Sequence, residues 1–197
     1  MNAHDIPRLI LASTSAYRRE LLGRLRVPFE CLPPGCDEQR LPDEPAQALA
    51  VRLARVKAEA VAARHPGSVV IGSDQVAVRA TEILGKPGTV ERCTEQLLQS
   101  SGREVVFLTA VHVVDGHHGR TESHVDHTLV RFRTLSPVEV ARYIVADAPL
   151  DCAGGFKAES LGIALFERIE SSDPTALTGL PMIWLSGALR RAGIRVP

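Results

Sequence analysis

Residues 69–88 read VVIGSDQVAVRATEILGKPG. Val69, Val70 and Ile71 form an apolar, β-branched run between Gly67 and Gly72, the pattern of a buried strand. The run ends in a carboxylate, Asp74. Val76-Ala77-Val78 reads as a second short strand, and Ile83-Leu84 as its return across a polar turn near Arg79 to Glu82. Gly85-Lys86-Pro87-Gly88 stops the return. If Arg79 pairs with Glu82 over a two-residue loop, antiparallel register sets Gln75 opposite Lys86. Asp74 and Lys86 then emerge at the same end of the hairpin. A carboxylate and an ammonium at the mouth of a buried strand suit a site that handles phosphate, metal and water. A surface salt bridge beside a turn is the plainer reading.

Outward from this stretch, the 197 residues suffice for one domain or a two-lobed one. Lysine plus arginine balance aspartate plus glutamate at 23 each, so no broad basic field is available to hold nucleic acid. A local cluster of cations can still hold a small anion. No apolar run reaches the roughly 20 residues of a membrane span, and the N-terminus lacks a signal-peptide pattern. Cys31, Cys36, Cys93 and Cys152 form no CxxC pair and no zinc-finger spacing, so reduced thiols in the cytoplasm are expected.

Upstream, residues 1–7 read as a tail and Arg8 to Ala12 as a first strand. Ser13-Thr14-Ser15 then opens a helix over about Ala16 to Leu25. Hydroxyls at a helix N-terminus make an anion site, or Ser15 simply caps the helix. Arg18 shares the face of Leu21 and Leu22, so it needs an anion or carbonyl partner unless it snorkels. Phe29 to Leu32 is a short strand, and Asp37-Glu38 lies in the loop beyond it. Pro45 opens a helix to about Arg64 at its first position. Lys57 falls inside the apolar stripe of that helix, where it either snorkels or meets an acidic ligand. With no local partner in sequence, a methionine there is expected to keep or raise stability.

Downstream, a helix is expected over Val90 to Ser100. Long strands follow over Glu104 to Asp115 and Arg120 to Phe132, a pair that can support a lobe or a homodimer interface. His112, His117, His118, His124 and His127 fall here without a zinc-binding spacing and read as exposed strand and loop residues. Ser136-Pro137 starts a helix to about Ala146. Asp151 to Glu159 is hinged on Gly154 and Gly155, Gly162 to Ile169 reads as a strand, and the last helix spans about Met182 to Ala192.

Ser13, Ser15, Arg18, Lys57 and Lys86 thus stand against Glu38, Asp74 and Glu159. Cations without a broad positive field suggest a compact polyphosphate, and the carboxylates suggest Mg²⁺ shared with it. No P-loop motif, G-x-S-x-G elbow or Ser-His-Asp arrangement stands out.

These residues fall in LILASTSAYRRELL (9–22), the Asp37-Glu38 loop, RLARVKA (52–58), IGSDQV (71–76), GKP (85–87), CAGGFKAESLGIALFERIE (152–170) and DPTALTGLP (173–181). In that order they resemble the Maf nucleotide pyrophosphatases from Arg8 to Gly193. Ser73-Asp74-Gln75 and the Cys-Ala-Gly-x-Phe-Lys-x-Glu run resemble the 7-methyl-GTP branch rather than the dTTP/UTP branch. Gly155 and Ser171 depart from that pattern, which has serine and glycine there. The resemblance implies an α/β fold like that of the Maf and ITPase proteins. Its twisted mixed sheet is flanked by helices and split into two lobes around a central cleft. It implies hydrolysis of a nucleoside triphosphate to monophosphate and pyrophosphate with Mg²⁺ or Mn²⁺. By motif, Asp74 is the proton acceptor, and Ser13, Arg18, Glu38, Lys57 and Lys86 complete the phosphate and metal site, with Glu38 and Asp74 as metal ligands; Ser15 remains a substrate-binding candidate from its place at the helix start. Tyr17, Gln75 and Glu159 match nucleobase positions; the plain alternatives are that Tyr17 packs on Leu21 and Glu159 pairs with Lys157. A pyrophosphatase for another nucleotide and a non-catalytic nucleotide-binding regulator of cell division are the competing functions.

Overall fold

The computed structural model describes residues 7–197, so the expected tail lies, apart from Pro7, outside the described residues. Among the described residues, seven strands and five α-helices follow one another as β1 (Leu9–Leu11), α1 (Ala16–Gly23), β2 (Glu30–Cys31), α2 (Ala46–Ala62), β3 (Val69–Arg79), β4 (Glu82–Leu84), α3 (Val90–Ser100), β5 (Glu104–Asp115), β6 (Arg120–Phe132), α4 (Pro137–Asp147), β7 (Phe166–Glu170) and α5 (Met182–Arg191). The strands form one sheet in the order β2-β1-β3-β5-β6-β7, with β4 paired to β3. β1 runs parallel to β2 and β3, whereas β4 and β7 pair antiparallel with β3 and β6, so the sheet is mixed, as expected. Among the described residues no helix is long and apolar enough to cross a membrane.

By contact density the chain divides into two units. The first comprises Met1–Asp74, Thr109–Asp126 and Asp173–Pro197; the second comprises Gln75–Leu108 and His127–Ser172. In the first unit, strand alternation sorts the core into two layers. Leu9, Leu11, Val69 and Ile71 meet Leu21 and Leu22 of α1 and Leu185 and Leu189 of α5. Ile10, Ala12 and Val70 turn the other way, onto Ala58 and Val61 of α2. In the second unit, Phe107, Phe132, Phe156 and Phe166 pack edge to face at centroid separations of 4.7–5.6 Å.

Several expectations are corrected. β3 is a single strand of 11 residues, so Asp74 lies within a strand and not at its end. Gly72, which reads as a strand stop, instead admits a helix, as described below. The turn and its register are as expected, Arg79 opposite Glu82 and Ala77 opposite Leu84, but pairing stops at Leu84 and does not extend to the expected Gln75 and Lys86. The strand expected over 162–169 begins only at Phe166, after a 3-10 turn over Leu161–Leu165. There the chain folds back so tightly that a Cβ on Gly162 would stand 2.4 Å from the Lys157 carbonyl oxygen. Pro45 is extended (ψ 147°) and precedes the first turn of α2 rather than occupying it.

Candidate functional site

The first unit gathers most of the charged candidates around the crossing of β3 and α2. Gly72 faces α2 so closely that a Cβ there would lie 2.2 Å from the Ala54 carbonyl oxygen and 2.6 Å from the Ala58 nitrogen. Two positions along the strand, Asp74 faces the same helix. The close crossing delivers Lys57, which donates from Nζ to Asp74 Oδ1 at 2.7 Å. The same ammonium is ion-paired with Glu38 Oε2 at 2.7 Å. Lys57 and Asp74 are buried, while the Glu38 side chain is half exposed. Lys57 therefore neither snorkels nor waits for an external acid. Two carboxylates of its own chain flank it, which reverses the stability expected of a methionine at this position.

Glu38 is held by a loop rather than a regular element. Arg52 on α2 grips Glu44 bidentately, at 2.6 and 2.8 Å, and donates to the Gln39 carbonyl oxygen at 2.9 Å. Arg52 holds the Glu44 carboxyl below its ordinary range. Neither residue stood out in the sequence, although Arg52 opens the RLARVKA stretch.

At the start of α1, the Ser13 hydroxyl accepts the Ser15 N–H at 3.1 Å, and Ser15 caps the helix by accepting the Arg18 N–H. Both hydroxyls act here as acceptors, so their own hydrogens can serve an anion. Tyr17 is half-buried on the first turn. Arg18 finds the carbonyl partner its position demands, donating from Nε to Gly179 O at 3.1 Å. Ser73, on the opposite face of β3 from Asp74, donates to the same oxygen at 2.9 Å. Gly179 has a φ of +120°, and a Cβ on it would come within 3.3 Å of the Arg18 side chain. Burial pushes the Arg18 guanidinium down from its ordinary value, and the charges of Asp74 and Glu38 act to raise it. The loop behind Gly179 is built on Asp173, whose carboxylate accepts the N–H groups of Thr175 (2.9 Å) and Ile183 (2.6 Å). Ser73 and Gly179 escaped the sequence reading; only their place in the IGSDQV and LTGLP stretches marked them.

Gln75, Lys86 and Glu159 belong to the second unit. Lys86 is exposed in a segment tied down on both sides, Gly85 O accepting from Gln96 Nε2 (3.2 Å) and Gly88 N–H donating to Leu150 O (2.9 Å). Glu159 is exposed on a turn whose neighbours are fastened to α4. The Lys157 N–H donates to the Tyr143 hydroxyl at 3.0 Å, Lys157 Nζ to the Asp147 carbonyl at 2.8 Å, and Ser160 Oγ to Asp147 Oδ1 at 2.6 Å. Lys157 thus gives its ammonium to a backbone carbonyl. Gly154 and Gly155, both at positive φ, let this segment press on Phe107 and Cys93.

His117, His118 and His127 are exposed, as expected, and His118 pairs with Asp115 at 2.6 Å. His112 is instead buried with Nδ1 2.7 Å from Ser123 Oγ, and the half-buried His124 stacks on Trp184. No disulfide joins the four cysteines, all of which lie among the described residues.

A family model described as Maf-like protein matches residues 8–192. The chain belongs to the Maf family. Among curated Maf relatives, proteins named 7-methyl-GTP pyrophosphatase are 55% identical in Xanthomonas campestris pv. campestris (98% of this chain, 100% of that one), 54% in Alkalilimnicola ehrlichii (95% and 94%) and 51% in Pseudomonas putida (96% and 98%). A solved structure of the Staphylococcus aureus Ham1 protein is 16% identical with a TM-score of 0.46 over 64% of this chain and 71% of that one, too distant to inform on the site.

The donors present fit a divalent cation in one specific way. Among the described residues no cluster of three or more His, Cys, Asp or Glu side chains could hold a metal alone. Glu38 and Asp74 converge on a single nitrogen, so their oxygens lie no further apart than twice 2.7 Å. Two hard oxygen donors at that spacing suit Mg²⁺ or Mn²⁺ when substrate phosphates supply the remaining positions.

Proposed function

We propose that this Maf protein hydrolyses 7-methyl-GTP to 7-methyl-GMP and pyrophosphate. The observation that supports it most is the shared name of relatives 51–55% identical over nearly the whole chain. The Lys57–Asp74–Glu38 cluster gives that reading a chemical basis.

Water attacks the α-phosphorus in line, the bond from that phosphorus to the α–β bridging oxygen breaks, and pyrophosphate leaves with the bridging oxygen. Asp74 gives one carboxylate oxygen to Lys57 and keeps Oδ2 to orient the water and take its proton. Lys57 has donor capacity beyond its two carboxylates and turns it to a phosphate oxygen. Ser13, Ser15 and Arg18 bind the phosphate chain at the start of α1. The motif resemblance assigns Lys86 to the phosphate site, where with Arg18 and Lys57 it neutralises the triphosphate and the departing pyrophosphate, and assigns Tyr17, Gln75 and Glu159 to the base. Arg18 and Lys57 only balance Glu38 and Asp74 in charge, so these four residues do not by themselves offset a triphosphate. A divalent cation held by Glu38, Asp74 and the substrate would supply that neutralisation.

The test is pyrophosphate release from 7-methyl-GTP, GTP, dTTP and UTP, each with Mg²⁺ or Mn²⁺. Turnover greatest on 7-methyl-GTP is expected. Turnover confined to dTTP and UTP would move the chain to the other branch, and binding without turnover of any triphosphate would make it a nucleotide-binding regulator.

A further inference from the structure

Glu38 poses a positioning problem. Its carboxylate meets Lys57 at 2.7 Å, yet its side chain is 51% exposed and its backbone lies in a loop without helix or strand between β2 and α2. A half-exposed ion pair is too weak to order such a segment. Something else must set where residue 38 stands.

We propose that Arg52 is a positioning residue that holds Glu38 on Lys57, an inference that rests on the catalytic reading above only for its kinetic consequence. One guanidinium reaches the residue next to Glu38, through the Gln39 carbonyl oxygen at 2.9 Å. It also takes the Glu44 carboxylate in a fork, Nε to Oε1 at 2.6 Å and Nη2 to Oε2 at 2.8 Å. Glu44 is a hub for the rest of the loop. Its Oε2 accepts the Leu41 N–H at 3.2 Å, and its backbone carbonyl accepts Arg40 Nε and Nη2 at 3.2 and 2.8 Å. The Asp37 carboxylate closes the other side by accepting the Gln39 N–H at 2.9 Å. The Glu44 side chain is 8% exposed and that of Arg52 22%, so the fork is sheltered from water. Arg52 and Lys57 ride on the same helix, five residues apart. The helix that carries the cation therefore also carries the group that sets its loop partner, and α2 fixes both ends of the Glu38–Lys57 pair. Lysine cannot replace Arg52, because the fork and the carbonyl contact need a planar group with several donors.

The experiment is a double-mutant comparison on the full chain, with Arg52→Lys, Glu38→Gln and both together, read as kcat/KM for 7-methyl-GTP with Mg²⁺ and as Tm. Arg52→Lys should lower kcat/KM by about tenfold, one 1.4 kcal/mol step. The double variant should be no slower than Glu38→Gln. The Tm loss of about 1–3 °C expected of Glu38→Gln should vanish once Arg52 is changed. Glu44→Gln, which weakens the fork but leaves Arg52 in place, should behave like Arg52→Lys and replaces it if that variant does not fold. Losses that multiply in kcat/KM and add in Tm would overturn the proposal, because a merely structural arginine acts independently of Glu38. If the unaltered protein turns over no triphosphate, the catalytic reading falls, and the Tm comparison alone decides for or against Arg52.

Discussion

Lys57 Nζ stands 2.7 Å from Asp74 Oδ1, and both side chains are almost wholly enclosed, at 7% and 13% exposure. A buried cation and a buried carboxylate each need the other, because removing one partner leaves an uncompensated charge.

Lys57→Met should therefore abolish most turnover and also lower stability, by about 3 kcal/mol, although methionine suits the apolar stripe of α2. Asp74→Asn alone should cut turnover by about two to four orders of magnitude, as expected for loss of a general base, with the fold intact because Glu38 still faces Lys57. Combining the two should restore part of the stability lost in Lys57→Met, since asparagine leaves no charge to compensate. Denaturant unfolding of the three variants checks this. If the double variant is less stable than Lys57→Met, the buried pair is not the source of the loss.

The approach of α2 to β3 predicts a second effect. A methyl group on Gly72 would meet backbone atoms of Ala54 and Ala58, which cannot swing aside as a side chain does. Gly72→Ala should cost about 1–3 kcal/mol, the range for overpacking a filled core. It should also reduce turnover by moving Lys57 away from Asp74. Equal stability and activity to the parent protein would show that the helix yields freely, and that its distance from β3 does not set the pair.

The sequence carried the elements well where periodicity and punctuation agreed. β5, β6 and α3 have the expected bounds where Gly102 and the Gly116 to Gly119 turn punctuate the pattern. β3 was less legible, because Gly72-Ser73-Asp74 looks like a stop. Its meaning lies in α2, whose Lys57 is 17 residues from Asp74 in sequence, and no local pattern reports that contact. The same holds for Arg18, whose need for a partner was legible while the partner, Gly179 O, lies 161 residues on. Arg52 and Glu44 were invisible for a different reason: charged residues at a helix start and in the loop before it ordinarily face water.

The capping box of α4 gives a pH prediction. Glu139 accepts the Ser136 N–H (2.8 Å) and hydroxyl (2.6 Å) and the Arg133 guanidinium (2.8 Å). The Ser136 hydrogen bonds foremost, with Arg133, hold its carboxyl at about 2, against an ordinary 4.5. A carboxylate depressed on folding stabilises the protein fully above its unfolded value and loses that contribution as pH falls toward its folded value. Glu139→Gln should thus lower Tm at pH 7, and the gap from the parent should close progressively below about pH 4.5, the ordinary value of the free carboxyl. A gap that stays constant down to pH 3 would mean that the charge of Glu139 plays no part.

The last prediction concerns the base. A 7-methylguanine ring carries a positive charge at neutral pH, which guanine lacks, so a pocket selecting it should offer an aromatic face and a carboxylate. Stacking a cation on an aromatic ring contributes roughly 0.5–2 kcal/mol, more when water is excluded. Tyr17 lies half-buried on the first turn of α1, directly after the hydroxyls of Ser13 and Ser15. For Glu159, the simple alternative was an ion pair with Lys157, but that ammonium goes to the Asp147 carbonyl oxygen at 2.8 Å. Glu159 instead projects from a turn that Tyr143 and Asp147 fasten through Lys157 and Ser160, so an exposed carboxylate sits on an ordered support. Tyr17→Ala and Glu159→Gln should each reduce the ratio of kcat/KM for 7-methyl-GTP over GTP, by about tenfold for every 1.4 kcal/mol lost. The Tyr17→Ala loss should persist in high salt more than that of Glu159→Gln, because a stacked ring is screened less than an exposed carboxylate. If both nucleotides slow equally in both variants, neither residue senses the charge of the methylated ring, and preference for 7-methyl-GTP must arise elsewhere in the chain.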